Sequence, residues 1–528
     1  MESLPLPVET FTDEERERLG PHFTNLDRPV FGLVNLPETV KGALFARYSR
    51  YPGTLRRLFL DEFADPEARS AEVPPIEGAE GKRAADLYER IFLGYGDDSV
   101  AQLGGAHVAC EWTSNLLTKI LQRPRLAAYL EQSTRYIAYD DRIAGYGFRY
   151  HRDGRFGPPY EHALDDLFET YARLLESVGA WVGERFPAAE GESPAAHRRA
   201  VRAKALDLVR GVLPAASLSH VGIYGSGQTY EQLVLHLLAH PLAEARAYGT
   251  MLLEELQHII PSFVVRIPRE DRGGRWIEFL RERRGAADSV AVRLGLSEGE
   301  AEAAPSVRLL RTHGTEEELL AALVYESSEV SEDQALRAVA GLGTDERAAL
   351  LRELVGAREN RRHRPGRGFE TLRYRFEIVS DYGAFRDLQR HRLLTCQWQR
   401  LSPALGADVP HELAAAGLGG EFERALDVSR AEYERLRETG FGEEAPYALC
   451  LAFRIRYVLE LDAREAVHLI ELRSGREGHP SYRAVAHEMR RAIAGVHPNV
   501  AAAMTFVDDS TEDRLERLLS EMRNESRR

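Results

Sequence analysis

The sequence contains only three cysteines, Cys110, Cys396 and Cys450, and they lie far apart. This number and spacing exclude a disulfide framework and a Cys-x-x-Cys metal site, and they favour a reducing compartment. The chain also lacks any apolar run near the ~20 residues that a membrane span needs. Its acidic start has no signal-peptide pattern. We therefore predict a cytoplasmic protein without a membrane partner.

The chain has fewer basic than acidic residues, with 69 Lys and Arg compared with 83 Asp and Glu, and its formal net charge is -14. General binding to nucleic acid needs an excess of basic side chains facing phosphates, so we predict no nucleic-acid partner. Local arginine clusters can still hold a small phosphorylated ligand. With 528 residues, of which 44% are hydrophobic, the chain is long enough for two or more globular domains.

Changes in periodicity and composition divide the chain into five segments. We predict an N-terminal arm at 1–28, a first domain at 29–275, a spacer at 276–304, a second domain at 305–510 and a polar tail at 511–528.

Helical and alternating patterns predict the elements inside the domains. In the first domain we expect helices at 38–46, 52–64, 81–92 and 241–259, a long helix from Asp98 or Ser99 to Ile120, and a glycine-rich turn at 222–227. In the second we expect strands at 307–310, 369–379 and 449–459, a capped helix start at Thr315, and a helix at 463–472 that ends in a left-handed Gly475.

Each half contains a basic triplet, Arg123-Pro124-Arg125 in the first and Arg390-His391-Arg392 in the second. Arginine presents a planar fork to phosphate oxygens, and histidine adds a donor that titrates near neutral pH. The polar run 131–135 after the first triplet can orient a ligand, although these residues alone favour a capping turn between elements. The recurrence of the triplet predicts a tandem duplication.

Three pairs of residues at helical spacing suggest metal binding as an alternative. Glu255-x-x-His258 and Glu465-x-x-His468 have the spacing of di-iron ligands, and His236-x-x-x-His240 has a zinc spacing. No second pair of core glutamates accompanies them. We therefore predict no metal.

The motifs resemble those of the flavin-dependent thymidylate synthases. Their signature is Arg-His-Arg, seven residues and then Ser, extended as Glu-x-Ser-x-Arg-Tyr. In the first half this spacing leads from Arg123 to Ser133, and 131–136 matches the extension, but Pro124 replaces the histidine. In the second half the triplet is intact, but Arg400 stands in the place of the serine.

Other family segments divide between the halves in the same way. Arg210 in Arg-Gly-Val-Leu-Pro resembles the arginine that holds the nucleotide phosphate, and its counterpart is Pro446. The helix from Asp462 to Arg473 resembles the family's Asn-Ala-Arg helix, which ends in the arginine that activates the uracil ring, and the first half has Leu238 near that place.

The resemblance implies a helix-rich α+β fold with two tandem synthase-like domains, each a mixed sheet with packed helices. It also implies reductive C5 methylation of dUMP to dTMP with FAD, NADPH and methylenetetrahydrofolate, and a homodimer that imitates the family's homotetramer. The catalytic residue would be Arg473. The cofactor-binding residues would be Arg390, His391, Arg392, His363, Glu370, Asp462, Arg464 and His468. The substrate-binding residues would be Arg123, Glu131, Gln132, Ser133, Thr134, Arg135, Arg210 and Arg473.

The losses are complementary, since the first half keeps the nucleotide set and the second keeps the flavin set. Random decay would scatter losses over both sets, so this partition favours a retained activity. Two alternatives stay open: a noncatalytic nucleotide or flavin sensor, and a flavin-dependent methylase of another pyrimidine nucleotide. The sequence also leaves open whether half-sites combine within one chain or between chains.

Overall fold

The computed structural model describes residues 5–7, 9–36, 38–48, 50–63, 102, 104–296, 305–510 and 514–525. The chain divides into two compact units. Unit 1 comprises Met1–Arg173, Val212–Glu300 and Arg424–Cys450, and unit 2 comprises Leu174–Gly211, Ala301–Glu423 and Leu451–Arg528. Each unit therefore contains residues from both halves of the sequence. The five segments inferred from composition stay a prediction, because compactness is a different property from sequence repetition.

Unit 1 contains a four-stranded sheet with the order β1-β2-β4-β3, in which every pairing is antiparallel. The strands are β1 Val30–Gly32, β2 Gly105–Ser114, β3 Ala127–Glu131 and β4 Leu218–Ser226. The helices of the first half are α1 Asp13–Leu19, α2 Glu38–Tyr48, α3 Leu55–Leu58, α4 Asn115–Leu121, α5 Gly157–Arg185, α6 Pro194–Val209, α7 Gly227–Leu238, α8 Ala243–Ile259, α9 Pro261–Val264 and α10 Arg275–Arg293.

The long helix predicted up to Ile120 is wrong, because β2 occupies Gly105–Ser114 and α4 begins only at Asn115. Nine of the ten residues of β2 are buried. Periodicity alone does not separate a strand that is buried on both faces from a buried helix. The N-cap of α4 is Ser114, whose Oγ accepts the backbone N–H of Leu117 at 3.0 Å. The side chain of Ser114 therefore lies at the end of a central strand.

The glycine-rich turn predicted at 222–227 is also wrong, because these residues belong mostly to β4. A Cβ at Gly222 would lie 2.9 Å from the ring of Phe45, so glycine here permits close packing against the sheet. The helix predicted at 52–64 is instead α3 followed by a π-helical turn, Phe59–Phe63. The helix predicted at 81–92 and the caps Asp98 and Ser99 lie outside the described residues.

Unit 2 contains a second four-stranded antiparallel sheet, with the equivalent order β5-β6-β8-β7. Its strands are β5 Ser306–His313, β6 Arg373–Asp381, β7 Leu394–Trp398 and β8 Arg454–Asp462. The helices of the second half are α11 Glu316–Tyr325, α12 Glu332–Ala340, α13 Thr344–Val355, α14 Tyr382–Leu388, α15 His411–Ala415, α16 Gly419–Glu438, α17 Ala463–Arg473, α18 Pro480–Ala494, α19 Pro498–Ala502 and α20 Leu518–Glu525.

The two sheets confirm the helix-rich α+β class, although both are antiparallel where mixed sheets were expected. The capping box at Thr315 is confirmed, because its side chain accepts from the N–H of Glu318, whose carboxylate accepts from the N–H of Thr315. The last two predicted strands begin later than expected, at Arg373 and Arg454. Helix α17 ends in a right-handed Ser474 cap, so the left-handed Gly475 was wrong.

Among the described helices, none has the length and apolar character that crossing a membrane requires.

Candidate functional site

Helix α17 presents one edge of the candidate site in unit 2. It starts where β8 ends, because the Asp462 carboxylate accepts the backbone N–H of Glu465 at 2.8 Å and so caps the first turn. Burial raises the pKa of Asp462. The helix buries Ala466, Leu469 and Ile470 and leaves His468 and Arg473 half-buried on its more open side.

A chain of polar contacts links α17 to the second basic triplet, which lies in the loop between α14 and β7. Arg473 Nε–H donates to His391 Nε2 at 3.0 Å. His391 Nδ1 then contacts Glu465 Oε1 at 2.8 Å, and Glu465 Oε2 lies 3.2 Å from His468 Nδ1. His391 and Glu465 are buried, with 7% and 4% of their surfaces exposed. Two of the predicted flavin residues and the predicted catalytic arginine therefore lie together.

The donor from Arg473 determines the tautomer of His391. Because Nε2 accepts a hydrogen bond, the ring proton of the neutral imidazole must be on Nδ1, from which it is donated to Glu465. Burial lowers the pKa of His391 to about 4. Burial alone would raise the pKa of Glu465, but hydrogen bonds from His391 and His468 outweigh it and lower that pKa to about 2. The pair is thus a neutral histidine on an ionised glutamate.

The same tautomer argues against a metal at this cluster. The ligand atoms of His391, Glu465 and His468 all lie within 4.8 Å of one another. A metal on His391 Nδ1 would leave the proton on Nε2, where it would face the Arg473 N–H that now donates to this nitrogen. The N–H groups of Arg473 and His391 would then point at each other. The arrangement therefore favours a hydrogen-bonded cluster over a metal site.

The depressed pKa of His391 predicts a specific pH dependence of stability. Below pH 6.5 the unfolded chain protonates this imidazole, whereas the folded chain resists protonation down to about pH 4. The unfolded state therefore binds more protons, and the free energy of unfolding falls as the pH is lowered through this window. The shift corresponds to at most about 3 kcal/mol.

We expect His391→Gln to remove this component of the pH dependence, measured by urea unfolding at pH 7.5 and pH 5. His411→Gln is the matched control, since 92% of that side chain is exposed. Equal slopes in the wild-type protein and in His391→Gln would contradict the neutral, buried imidazole.

A second carboxylate connects Arg210 with the triplet. Asp387 is on α14. Its Oδ2 lies 3.4 Å from Arg210 Nη1, and its Oδ1 lies 3.4 Å from Arg390 Nη1. Arg210 is 3% exposed, whereas a third of the Arg390 side chain is exposed. Arg210, which belongs to the first half of the sequence, therefore lies in unit 2 beside a residue of the second half's triplet.

Of the remaining predicted flavin residues, His363 and Glu370 precede β6, Arg464 is on α17 and Arg392 is in the loop between α14 and β7. Glu370 contacts Arg367 at 2.9 Å and Arg464 at 3.5 Å, and the hydrogen bond from Arg367 is the main cause of its lowered pKa. Arg464 Nε–H also donates to the carbonyl of Pro365 at 2.9 Å. His363 is exposed and lies 3.0 Å from the Asn360 side chain through Nε2. Arg392 is exposed as well.

In unit 1, two residues of the predicted nucleotide set have protein partners that account for their burial. Glu131 Oε2 accepts from Lys119 Nζ at 2.8 Å and from Gln122 Nε2 at 2.9 Å. The amide of Gln132 donates to the Tyr51 carbonyl at 2.8 Å and accepts from Arg149 at 2.7 Å. These contacts fix the turn that carries the following residues.

That turn contains the rest of the predicted nucleotide set. Ser133 is half-buried, its Oγ accepts the N–H of Arg135 at 3.3 Å, and its carbonyl accepts the N–H of Tyr136 at 3.1 Å. Thr134 and Arg135 are buried, and Arg123 is exposed in the loop after α4. Both triplets thus occupy loops.

The structure therefore brings Arg210, Arg390, His391, Asp462, Arg464, His468 and Arg473 into unit 2 and leaves Arg123 and 131–135 in unit 1. Reasoning from the sequence missed the role of Asp387 and assigned Glu465 only to the metal alternative. The spacing from Asp387 to Arg390, one helical turn, is a signal that could have identified the former.

Comparison with known proteins identifies the class. A model of the thymidylate synthase complementing protein family matches residues 57–262 and again residues 308–499. The chain belongs to this family, and the two matched segments confirm the tandem duplication.

Three relatives match the chain over most of its length. The chain is similar to a UPF0159 protein of Chlamydia muridarum, with 37% identity over 98% of both chains, and to a UPF0159 protein of Chlamydia pneumoniae, with 36% identity over 98% of both. A UPF0159 protein of Thermoplasma acidophilum is 31% identical over 89% of this chain and 95% of its own length. Among solved structures, a UMP/dUMP methylase from Streptomyces cacaoi bound with 5-Br dUMP aligns at 19% identity over 39% of this chain and 97% of that chain, with a TM-score of 0.31.

Proposed function

We propose that the protein is a flavin-dependent methylase that converts dUMP to dTMP with FAD, NADPH and methylenetetrahydrofolate. Family membership supports the class of reaction. The observation that carries the proposal is the presence in unit 2 of two linked pairs: Arg210 and Arg390 share the carboxylate of Asp387, and Arg473 donates to His391, which lies on Glu465. This is a set of oriented cationic and neutral donors, which suits an anionic nucleotide and a diphosphate cofactor.

The donor chemistry of this set fits FAD. Arg390 and Arg464 expose 33% and 27% of their side chains, and Arg392 is exposed in the loop between α14 and β7. Partly exposed guanidinium groups on a fixed loop and a helix can bind the oxygens of a diphosphate. His363, Glu370, Asp462 and His468 complete the proposed cofactor set. When bound and reduced by NADPH, FAD supplies the hydride for the reductive methylation.

The residues of the chain would bind and polarise the nucleotide. Arg473 would stabilise the negative charge of a uracil ring that has lost its N3 proton, since a guanidinium held in a fixed orientation stabilises charge without reorganising. His391 orients Arg473 by accepting its Nε–H. Arg210 would hold the phosphate, with Arg123 and residues 131–135 as the proposed further nucleotide contacts. No cysteine nucleophile is required.

The direct test is tritium release from dUMP labelled at C5, with purified protein, NADPH and methylenetetrahydrofolate. We expect a yellow protein that releases tritium and oxidises NADPH only when nucleotide is present. Labelled UMP and dCMP in parallel assays distinguish the neighbouring pyrimidine substrates. A colourless protein that releases no tritium with any of them would refute the methylase and support the noncatalytic sensor.

Mixing two inactive variants tests how the proposed half-sites combine. We expect His391→Ala and Ser133→Ala each to abolish turnover, because one removes the support of Arg473 and the other a nucleotide contact. If both half-sites belong to one chain, the mixture stays inactive. If they combine between chains of the predicted homodimer, refolding the two variants together restores part of the activity. Activity in either single variant would contradict its assigned role.

A further inference from the structure

Unit 2 contains a cavity of about 730 Å³, a volume in the range of small-molecule sites. Of the site residues predicted from the sequence, only Arg210 lines it; Arg390, His391, Glu465 and Arg473 do not. Its walls are largely apolar, with Leu208, Val307, Val379, Phe422 and Leu451 among them. The polar groups of its lining include Asp381 and Ser481.

The corresponding place in unit 1 is filled by a tyrosine. There the strand-end residue Ser114 donates its hydroxyl to Glu244, the second residue of α8, at 2.6 Å. The phenol of Tyr447 donates to the same carboxylate at 2.7 Å. All three side chains are buried, and the Tyr447 ring packs 4.6 Å from the ring of His151.

Unit 2 repeats this arrangement with the acid and the hydroxyl exchanged. The strand-end residue is now Asp381, and Ser481, the second residue of α18, donates its hydroxyl to Asp381 Oδ2. The counterpart of Tyr447 is Gly211, because each precedes the first residue of its central strand by seven positions. A Cβ at Gly211 would lie 2.8 Å from Phe422 and 3.2 Å from Ala452, so no side chain can take the place of the phenol.

The charges around the cavity favour a cationic ligand. Carboxylates of Asp207 and Asp408 are already held by Arg517 at 3.0 Å and Arg454 at 2.5 Å, two cations that do not line the cavity. Arg210 is the cation that most lowers the pKa of Asp381, and Arg210 is shared with Asp387. Burial raises the pKa of Asp381 to about 6, so the surrounding positive charge does not compensate for its desolvation.

We propose that the cavity binds an aromatic cation, a planar ring whose amidine or protonated amino group donates to Asp381 as the phenol of Tyr447 donates to Glu244. The apolar walls would enclose the ring. The carboxylate would select the positive charge, since a charge-assisted hydrogen bond is stronger than a neutral one. An anionic ring would instead face Asp381 with like charge. Arg210 is shared with the proposed phosphate site, but binding of the cation requires neither flavin nor nucleotide.

Three probes of nearly the same shape and different charge test the proposal: benzamidine, benzamide and benzoate. Binding to the full-length protein is measured by isothermal titration calorimetry without cofactor or nucleotide. We expect benzamidine to bind about tenfold or more tightly than benzamide, and benzoate to show the weakest binding. We expect Asp381→Asn to abolish the preference for benzamidine over benzamide. Equal or tighter binding of benzoate would overturn the proposal.

A pair of variants on α18 locates the binding without touching Asp381. Ala484 lines the cavity and Ala494 does not, although both are exposed alanines on this helix. We expect Ala484→Trp to eliminate benzamidine binding and Ala494→Trp to leave it unchanged. Thermal unfolding checks that each variant is folded. Full benzamidine binding to folded Ala484→Trp would overturn the assignment to this cavity, whatever Asp381→Asn does.

Discussion

Replacing Arg473 by lysine is expected to reduce the rate of dUMP methylation by about 10²- to 10³-fold, a loss typical for a preorganised donor aimed at developing charge. The guanidinium donates its Nε–H to His391 at 3.0 Å, and its Cζ lies 5.6 Å from the centre of the Tyr482 ring. These two contacts hold the guanidinium plane in one orientation. A lysine keeps the charge but has a single mobile ammonium, which cannot contact His391 and a uracil at once.

The assay is tritium release at saturating nucleotide, combined with the flavin content of the purified variant. A role confined to the uracil predicts that kcat falls while the bound flavin stays at the wild-type level. Arg523→Lys is the matched control, because 66% of that side chain is exposed on α20. Unchanged kcat in Arg473→Lys would refute its catalytic role, and loss of flavin would make it a cofactor-binding residue.

The sequence predicted the parts of the site that depend on local order. The helix at 463–472 and the Glu465-x-x-His468 spacing are determined within three or four residues, and both appear in α17. The chemical role of these residues, however, could be assigned only from the three-dimensional structure. The spacing suggested metal ligands, whereas the Arg473 donor gives His391 the tautomer of a hydrogen-bonded cluster.

Contacts over long sequence separations were not predictable from local patterns. Arg210 and Asp387 are 177 residues apart, and only the division of the chain into units with exchanged segments explains why they meet. The same exchange places Gly211 in unit 2 and Tyr447 in unit 1. The cavity therefore depends on which segment each unit receives, a property that no motif in either half encodes.

Strand β2 shows a different limit of sequence reasoning. Its run of small, aromatic and β-branched residues is buried on both faces, so neither alternation nor helical periodicity identifies it. Trp112 also has a positive φ of 56° where the pairing register shifts. A non-glycine residue with such a φ reflects tertiary packing, here including the hydrogen bond from its N–H to His220 Nδ1 at 3.1 Å.

Replacing Arg358 by methionine is expected to lower the free energy of unfolding by about 3–5 kcal/mol, because it leaves a buried carboxylate without its partner. Arg358 donates to both oxygens of Glu471 at 2.7 and 2.6 Å, and their side chains are 3% and 0% exposed. Its Nε–H also donates to the His363 carbonyl at 2.6 Å. The pair thus fastens the loop of His363 to the helix that ends in Arg473.

A double variant separates the lost partner from the lost packing. Arg358→Met combined with Glu471→Leu removes both charges, so it should recover most of the loss measured in Arg358→Met alone by urea unfolding. The matched control is Arg491→Met, whose partner Glu488 is also exposed and whose cost should stay below about 1 kcal/mol. If Arg358→Met costs no more than this control, the buried pair does not hold α17. If the double variant unfolds as easily as Arg358→Met, the arginine acts through its contacts with the His363 and Ala503 carbonyls, which methionine cannot replace.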